Sequence, residues 1–240
     1  MSKKLAVFSH HRSGTHFLMK SLSLNSQYID DPELSLDVNL GFDLWNPNDF
    51  TDLILQLRDK PILNIAKCHY EVDFIAPLID KFLDDFHLIY IVRRPEDVLK
   101  SYFDFSSQLF WKEAPKTTNV NEFVKAVPIG SCLRWQHRQY DTMTHRWVGH
   151  VQGWLEITSV RSNIILITYD DLKDRYQETM TYLVDRLGWK KPQDFVLPPS
   201  SGILPGQGGS HIDSYETETL KWVKSLTSSV YDEAVKLSRF

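Results

Sequence analysis

The chain has 240 residues, 42% of them apolar, with a formal charge of −4 and a pI near 6.1. A mildly acidic composition without a basic run argues against a general nucleic-acid or membrane-surface binder. No apolar run approaches the roughly 20 residues of a membrane span, and the apolar run after Met1-Ser2-Lys3-Lys4 is too short for a signal peptide.

Leu5–Ser9 is a short apolar run of strand type. Next come His10-His11-Arg12-Ser13-Gly14-Thr15-His16, then Phe17-Leu18-Met19, which reads as a helix start. A strand, a polar turn with one glycine and a helix N-terminus make an anion cradle, because first-turn N–H groups are unpaired and carry the positive end of the dipole. Arg12, Ser13 and Thr15 add a cation and two hydroxyls. Three further strand-like runs follow at Ile62–Ala66, Leu88–Val92 and Ile164–Thr168, each short and rich in Ile, Val or Leu in the manner of strands covered on both faces. Helices are predicted over Val72–Asp85, Pro95–Ser107, Leu133–Ile157, Tyr176–Leu187 and Glu216–Leu237. Asp30–Asn48 and the glycine-rich Pro198–Ser210 read as irregular. Alternating strands and helices predict a single α/β domain over 1–240, with a central, mostly parallel sheet flanked by helices. Two cysteines, Cys68 and Cys132, cannot make a disulfide framework, so reduced thiols in a cytoplasmic protein are expected.

In such sheets ligands sit at the carboxyl ends of the strands, so the residues that follow each strand carry the chemistry. Lys67-Cys68-His69 follows the second strand, and alternation would turn Lys67 and His69 to one side with Cys68 in the core. Histidine is a suitable general base and a nearby lysine can stabilise developing anionic charge, although a surface lysine and a structural histidine fit the same residues. Arg93 ends the third strand and Ser101 lies eight residues on in the next helix, so together they can receive a second phosphate. Tyr169-Asp170-Asp171 follows the fourth strand, with either aspartate able to cap a helix and Tyr169 placed at the strand end.

These residues resemble the sulfotransferases that use 3′-phosphoadenosine-5′-phosphosulfate. The family signature Tyr-Pro-Lys-Ser-Gly-Thr-Thr-Trp-Leu stands here as His10 to Leu18, its Lys-Thr-His as Lys67-Cys68-His69, and its Arg-to-Ser element as Arg93 through Ser101. His150-Val151-Gln152-Gly153-Trp154 and Tyr169-Asp170-Asp171-Leu172 match in order, so the likeness spans about residues 5 to 190. It implies a P-loop-like strand–loop–helix at the N-terminus. It also implies that Arg12 takes the family lysine's place at the 5′-phosphosulfate, with Ser13, Gly14, Thr15 and His16 alongside. Phe17 would stack on adenine, Arg93 and Ser101 would hold the 3′-phosphate, Tyr169 would line the nucleotide pocket, and His69 and Lys67 would do the chemistry. The family's late Arg-Lys-Gly loop corresponds to Gly206, Gly208 and Gly209, where both cations are missing. Its dimer motif is not recognisable near Ile212–Leu220, so a monomer or weak homodimer is expected.

The resemblance therefore implies sulfuryl transfer from that donor, with 3′,5′-adenosine bisphosphate (PAP) as product, to a hydroxyl or amine of a small-molecule acceptor. The expectation includes no metal, no nucleic acid and no membrane partner. The acceptor pocket is expected from Asp30–Asn48, Phe103–Trp111 and Trp135, His137, Tyr140, Trp147 and His150. A metal hydrolase built on His10, His11, His16 and His69 lacks ligand spacing. A kinase would need Gly-x-x-x-x-Gly-Lys-Ser/Thr, and only Gly14 is present locally. A non-catalytic nucleotide-binding protein of the same fold is the remaining alternative.

Overall fold

The structure, a computed structural model, describes residues 3–30, 52, 55–108, 114–199 and 212–238. Four parallel strands form the sheet: β1 (Lys4–Ser9), β2 (Ile65–Cys68), β3 (Phe86–Val92) and β4 (Ile164–Thr168), in the order β2-β1-β3-β4. Every residue of β1 and β4 is buried, the pattern expected of strands with helices on both faces. The helices with defined bounds among the described residues include α1 (Thr15–Leu24), α2 (Ile79–Asp85), α3 (Pro95–Gln108), α4 (Val120–Phe123), α5 (Met143–Val160), α6 (Tyr169–Asp174), α7 (Tyr176–Leu187) and α8 (Thr217–Ser238).

Alternation along the strands divides the core in two. Leu5, Val7, Ile89, Ile91, Ile165 and Ile167 face α1 and α7, meeting Leu18, Leu22, Met180 and Leu183. Ala6, Phe8, Leu88, Tyr90 and Leu166 face the other way, meeting Phe82 of α2, Trp147 and Trp154 of α5 and Ala234 of α8. Trp154 lies between Phe8, 4.7 Å between centroids, and Tyr90, 5.0 Å and nearly parallel. Its Nε1–H donates to the Tyr70 carbonyl. A fully buried tryptophan of this kind is worth about 3–5 kcal/mol against alanine.

The order in which strands are laid down reverses at β1: the chain steps to β2 on one side, then to β3 on the other. The crevice outside the carboxyl ends of β1 and β3 is therefore the topological switch point, where open parallel sheets bind ligands.

Three sequence expectations are corrected here. The second strand runs Ile65–Cys68 and pairs with Leu5–Phe8, three residues beyond the start expected from the apolar run. Val72–Asp85 is two 3₁₀ turns, Val72–Phe74 and Ala76–Leu78, before α2. Pro77 has no N–H for the Asp73 carbonyl, so the backbone closes i→i+3 bonds instead. Leu133–Ile157 is not one helix: a 3₁₀ helix ends at Trp135, and α5 starts at Met143 with the Thr142 hydroxyl accepting from the His145 N–H. Between them the N–H groups of His137 and Arg138 are turned onto the buried Glu71 carboxylate at 2.7 and 3.4 Å, away from a helical ladder.

Candidate active site

The loop between β1 and α1 is set by two left-handed residues, Arg12 (φ 67°) and Gly14 (φ 93°). Gly14 is required twice over, because a Cβ there would stand 2.2 Å from the Tyr169 ring. As the residue before α1 it offers no side-chain cap to the first-turn N–H groups. Ser13 is fully buried and its Oγ has no partner among the described residues. Thr15 Oγ1 lies 2.6 Å from Ser9 Oγ, which ties the start of α1 to the end of β1. His16 is exposed, and Phe17, half-buried, stands 6.0 Å edge-on to Tyr169.

His69 follows β2 directly and is buried. Its Nδ1 lies 2.9 Å from the Ser9 carbonyl oxygen, which can only accept, so Nδ1 carries the proton and the lone pair of the neutral ring is on Nε2. Burial, and then the charge of Lys67, hold the His69 pKa well below that of an ordinary histidine. The ring is therefore neutral at physiological pH, the form that accepts a proton. Cys68, between them, packs in the core beside Phe8 and Ala66.

Arg93, at the end of β3, is buried with its guanidinium 4.6 Å above the Tyr169 ring and its Nη1 3.5 Å from the Arg12 carbonyl. Asp97 stands 3.9 Å from Arg93, and Arg93 Nε has no partner among the described residues. Arg12 Nε donates to Ser101 Oγ at 3.0 Å. The strand-end elements thus bring Arg12, Ser13, Arg93, Ser101 and Tyr169 into one crevice, with His69 across Ser9 from the same loop. Gly206, Gly208 and Gly209 lie outside the described residues.

The comparisons with known proteins bear on this arrangement. A family model described as the sulfotransferase domain matches residues 2–196. The chain belongs to the sulfotransferase family. Sulfotransferase 2A6 of Rattus norvegicus is 26% identical over 206 residues, covering 82% of this chain and 64% of its own length. The 3-alpha-hydroxysteroid sulfotransferase of Cavia porcellus is 30% identical over 117 residues, 48% of this chain and 36% of its own. The chain thus spans less than two thirds of the curated relatives it matches. Among solved structures, a mouse sulfotransferase complexed with PAP superposes with a TM-score of 0.66 at 16% identity, covering 99% of this chain and 87% of that one. A sulfotransferase from Alicyclobacillus acidocaldarius gives 0.61 at 13% identity, covering 99% and 96%. At such identities these superpositions establish the shared fold.

Within this sulfotransferase fold, the structure joins His69 to polar residues that the sequence pattern does not connect with it. His10, His11, His69 and His150 gather beneath the loop, all buried and all held well below the usual histidine pKa, chiefly by desolvation. His150 Nε2–H donates to the His69 carbonyl at 3.1 Å, and its Nδ1 accepts from Tyr90 Oη at 3.1 Å. His10 Nδ1–H donates to the His11 carbonyl, and its Nε2 accepts from Arg146 Nη1 at 2.7 Å. Arg146 is fully buried, and its other bonds go to Gln136 Oε1 and the Cys132 carbonyl. An arginine among aromatics in a predicted helix carries no sequence mark of burial; only the fold shows it beneath His10.

Of the residues expected to line the acceptor pocket, Trp147 and His150 are core, Trp135 packs 4.3 Å from His11, and His137 is exposed. Residues 31–48 of the expected lining, and 109–111, lie outside the described residues. The cap of α6 is Thr168, whose hydroxyl accepts from the Asp171 N–H, and not either aspartate. Asp170 instead pairs with Arg94 Nη2 at 3.1 Å and accepts from Tyr231. Among the described residues no group of three or more His, Cys, Asp or Glu side chains is arranged to hold a metal ion, and no helix is long and apolar enough to cross a membrane.

Proposed function

We propose that this chain transfers a sulfuryl group from 3′-phosphoadenosine-5′-phosphosulfate to a hydroxyl or amine of a small-molecule acceptor, in the cytoplasm. The observation that carries this reading is the pairing of a neutral, tautomer-fixed His69 with an adjoining anion loop. That loop and the end of β3 hold buried polar atoms, Ser13 Oγ and Arg93 Nε, with no partner among the described residues. Buried polar atoms left unsatisfied by protein are what a phosphate-bearing ligand would satisfy. Membership of the sulfotransferase family supports the class of reaction. Structural neighbours described as complexes with PAP, and relatives named for a 3-alpha-hydroxysteroid and an amine, support the donor and the acceptor class.

In this reading Arg93 and Ser101 receive the 3′-phosphate, Phe17 and Tyr169 flank the nucleotide, and the first-turn N–H groups of α1 with Ser13 and Thr15 receive the 5′ end. His69 Nε2 takes the acceptor proton as the new bond from acceptor oxygen or nitrogen to sulfur forms and the bond from sulfur to the bridging phosphate oxygen breaks. Lys67 stabilises charge on the transferring group. Such transfers depend on positioning and electrostatics, as phosphoryl transfer does.

Thermal melting of the chain with PAP, ATP and GTP in parallel tests the donor. A shift with PAP and none with ATP or GTP is expected; a shift only with ATP and magnesium would overturn the reading in favour of a kinase. Transfer of labelled sulfate to hydroxyl and amine acceptors then tests the reaction itself.

A further inference from the structure

Arg12 stands where the family's loop lysine stands in sequence, yet its side chain is engaged elsewhere. The left-handed backbone at Arg12 carries the side chain onto α3, where Nε donates to Ser101 Oγ at 3.0 Å. Its guanidinium lies 4.8 Å from the centroid of Phe105, four residues further along the same helix. Arg93 reaches the same place from the end of β3, its Nη1 on the Arg12 carbonyl. Two guanidinium groups and a hydroxyl therefore meet at the switch point of the sheet, carried by β3, α3 and the β1–α1 loop. The like charges work against each other: burial, and after it the charge of Arg93, lower the Arg12 pKa, with Asp104 acting in the opposite sense. Asp104 is itself held by Lys100 through both carboxylate oxygens, at 2.5 and 2.6 Å, and Asp97 is shared between Arg93 and Arg94. Arg94 also pairs with Asp170 at 3.1 Å, so among these groups four cations face three carboxylates. A surplus of positive charge of this kind, with planar donor forks, suits a phosphate dianion.

We propose that Arg12 belongs to the 3′-phosphate, forming with Arg93 and Ser101 one receptor for that group, and does not serve the transferring sulfuryl. This rests on the donor reading above. It accounts for two features of the chain together. The stretch Leu204-Pro205-Gly206-Gln207-Gly208-Gly209 has no cation, and a second arginine at the β1–α1 loop supplies charge for the 3′-phosphate from another direction. The replacement of a lysine by an arginine in the loop exchanges a point charge for a side chain long enough to reach Ser101 and planar enough to share a phosphate with Arg93. Lys67 is then left as the side-chain cation for the reacting end.

Calorimetric titration of the full chain with PAP and with adenosine 5′-monophosphate, which lacks only the 3′-phosphate, tests the assignment. The native chain should bind PAP more tightly. Arg12→Gln should lose about 10- to 100-fold in PAP affinity, the scale of a lost charge-assisted contact, and stay within about twofold for the monophosphate. Equal losses for both ligands would place Arg12 at the 5′ end and overturn the proposal. A native chain that binds neither nucleotide, or binds both alike, would fail at the donor reading itself, a different result from parallel losses in the variant. Should Arg12→Gln not fold, Arg12→Lys decides: it restores the lysine but cannot fork between Ser101 and a phosphate. A selective loss of PAP affinity supports the proposal, and unchanged affinity for both ligands overturns it.

Discussion

The crevice at the ends of β1 and β3 has two halves that handle polarity in opposite ways. On one side of the β1–α1 loop, His10, His69, His150 and Arg146 are buried and bonded to one another, to Tyr90 and to backbone carbonyls. On the other side, Arg93 and Ser13 are equally buried but keep polar atoms with no partner among the described residues. Burial with internal partners holds an imidazole neutral and fixes its tautomer; burial with donors left over makes a receptor for an anion. A group-transfer site needs both, and Ser9 and Thr15, bonded at 2.6 Å, stand at the seam.

The comparison breaks most visibly at His69. Because the proposed base lies in the histidine half and the proposed nucleotide contacts lie in the arginine half, His69→Ala should lower turnover by about 10²- to 10⁴-fold. PAP affinity should stay within about twofold. Rates from sulfate transfer and affinities from titration check this. A variant of native turnover would remove His69 from the chemistry, and one that loses PAP binding in proportion would show that the two halves are a single unit.

The same division explains what the sequence made legible. Residues that end strands are marked by the abrupt change from an apolar run to charge, so Arg12 to Thr15, Lys67, His69, Arg93 and Tyr169 could be read directly. So could α7, where Gly188 closes the helix in the left-handed conformation (φ 67°). The register of β2 could not, because Ile62 and Leu63 are already apolar before the pairing with β1 begins at Ile65. Nor could the bonds that tie the histidine half together: His10 to Arg146 spans 136 positions, and only the packing of α5 under the β1–α1 loop brings them together. The contact of Arg12 with Ser101 was hidden for a related reason, since a left-handed backbone at a non-glycine residue has no sequence signal.

Acid sharpens the contrast between the halves. Four buried histidines held below their ordinary pKa refuse protons that the unfolded chain takes up below about pH 6.5. The unfolded state then binds more protons, so stability falls with falling pH, each such histidine adding up to about 1.4 kcal/mol per pH unit until its folded pKa is reached. The charge of Arg146 is, after burial, the main cause of the depression at His10 and His150. Arg146→Met should therefore do two things. At pH 7 it should cost about 1–3 kcal/mol, because His10 Nε2 loses its buried donor. Between pH 6.5 and 5 its loss of stability should be shallower than in the native chain, because one positive charge that opposes protonation of His10 and His150 is gone while burial remains. Urea denaturation at pH 7, 6 and 5 measures both, and parallel native and variant curves would show that Arg146 packs without governing the cluster.

The smallest effect is expected at the rim of the arginine half. Tyr231 of α8 donates to Asp170, which in turn pairs with Arg94, beside Asp97 and Arg93. Arg94 is more than a third exposed, so solvent weakens that pair, whereas the tyrosine hydroxyl is a partly buried donor. Tyr231→Phe should cost about 0.5–1.5 kcal/mol of stability, the net worth of one such hydrogen bond, and leave PAP affinity unchanged. Thermal melting and titration on the same sample separate the two quantities. If PAP affinity falls with the melting temperature, then the chain from Tyr231 through Asp170, Arg94 and Asp97 is what holds Arg93 in place. The receptor would then depend on the terminal helix as well as on the strand ends, because Asp97 contacts both arginines and a shift of one redistributes its charge to the other.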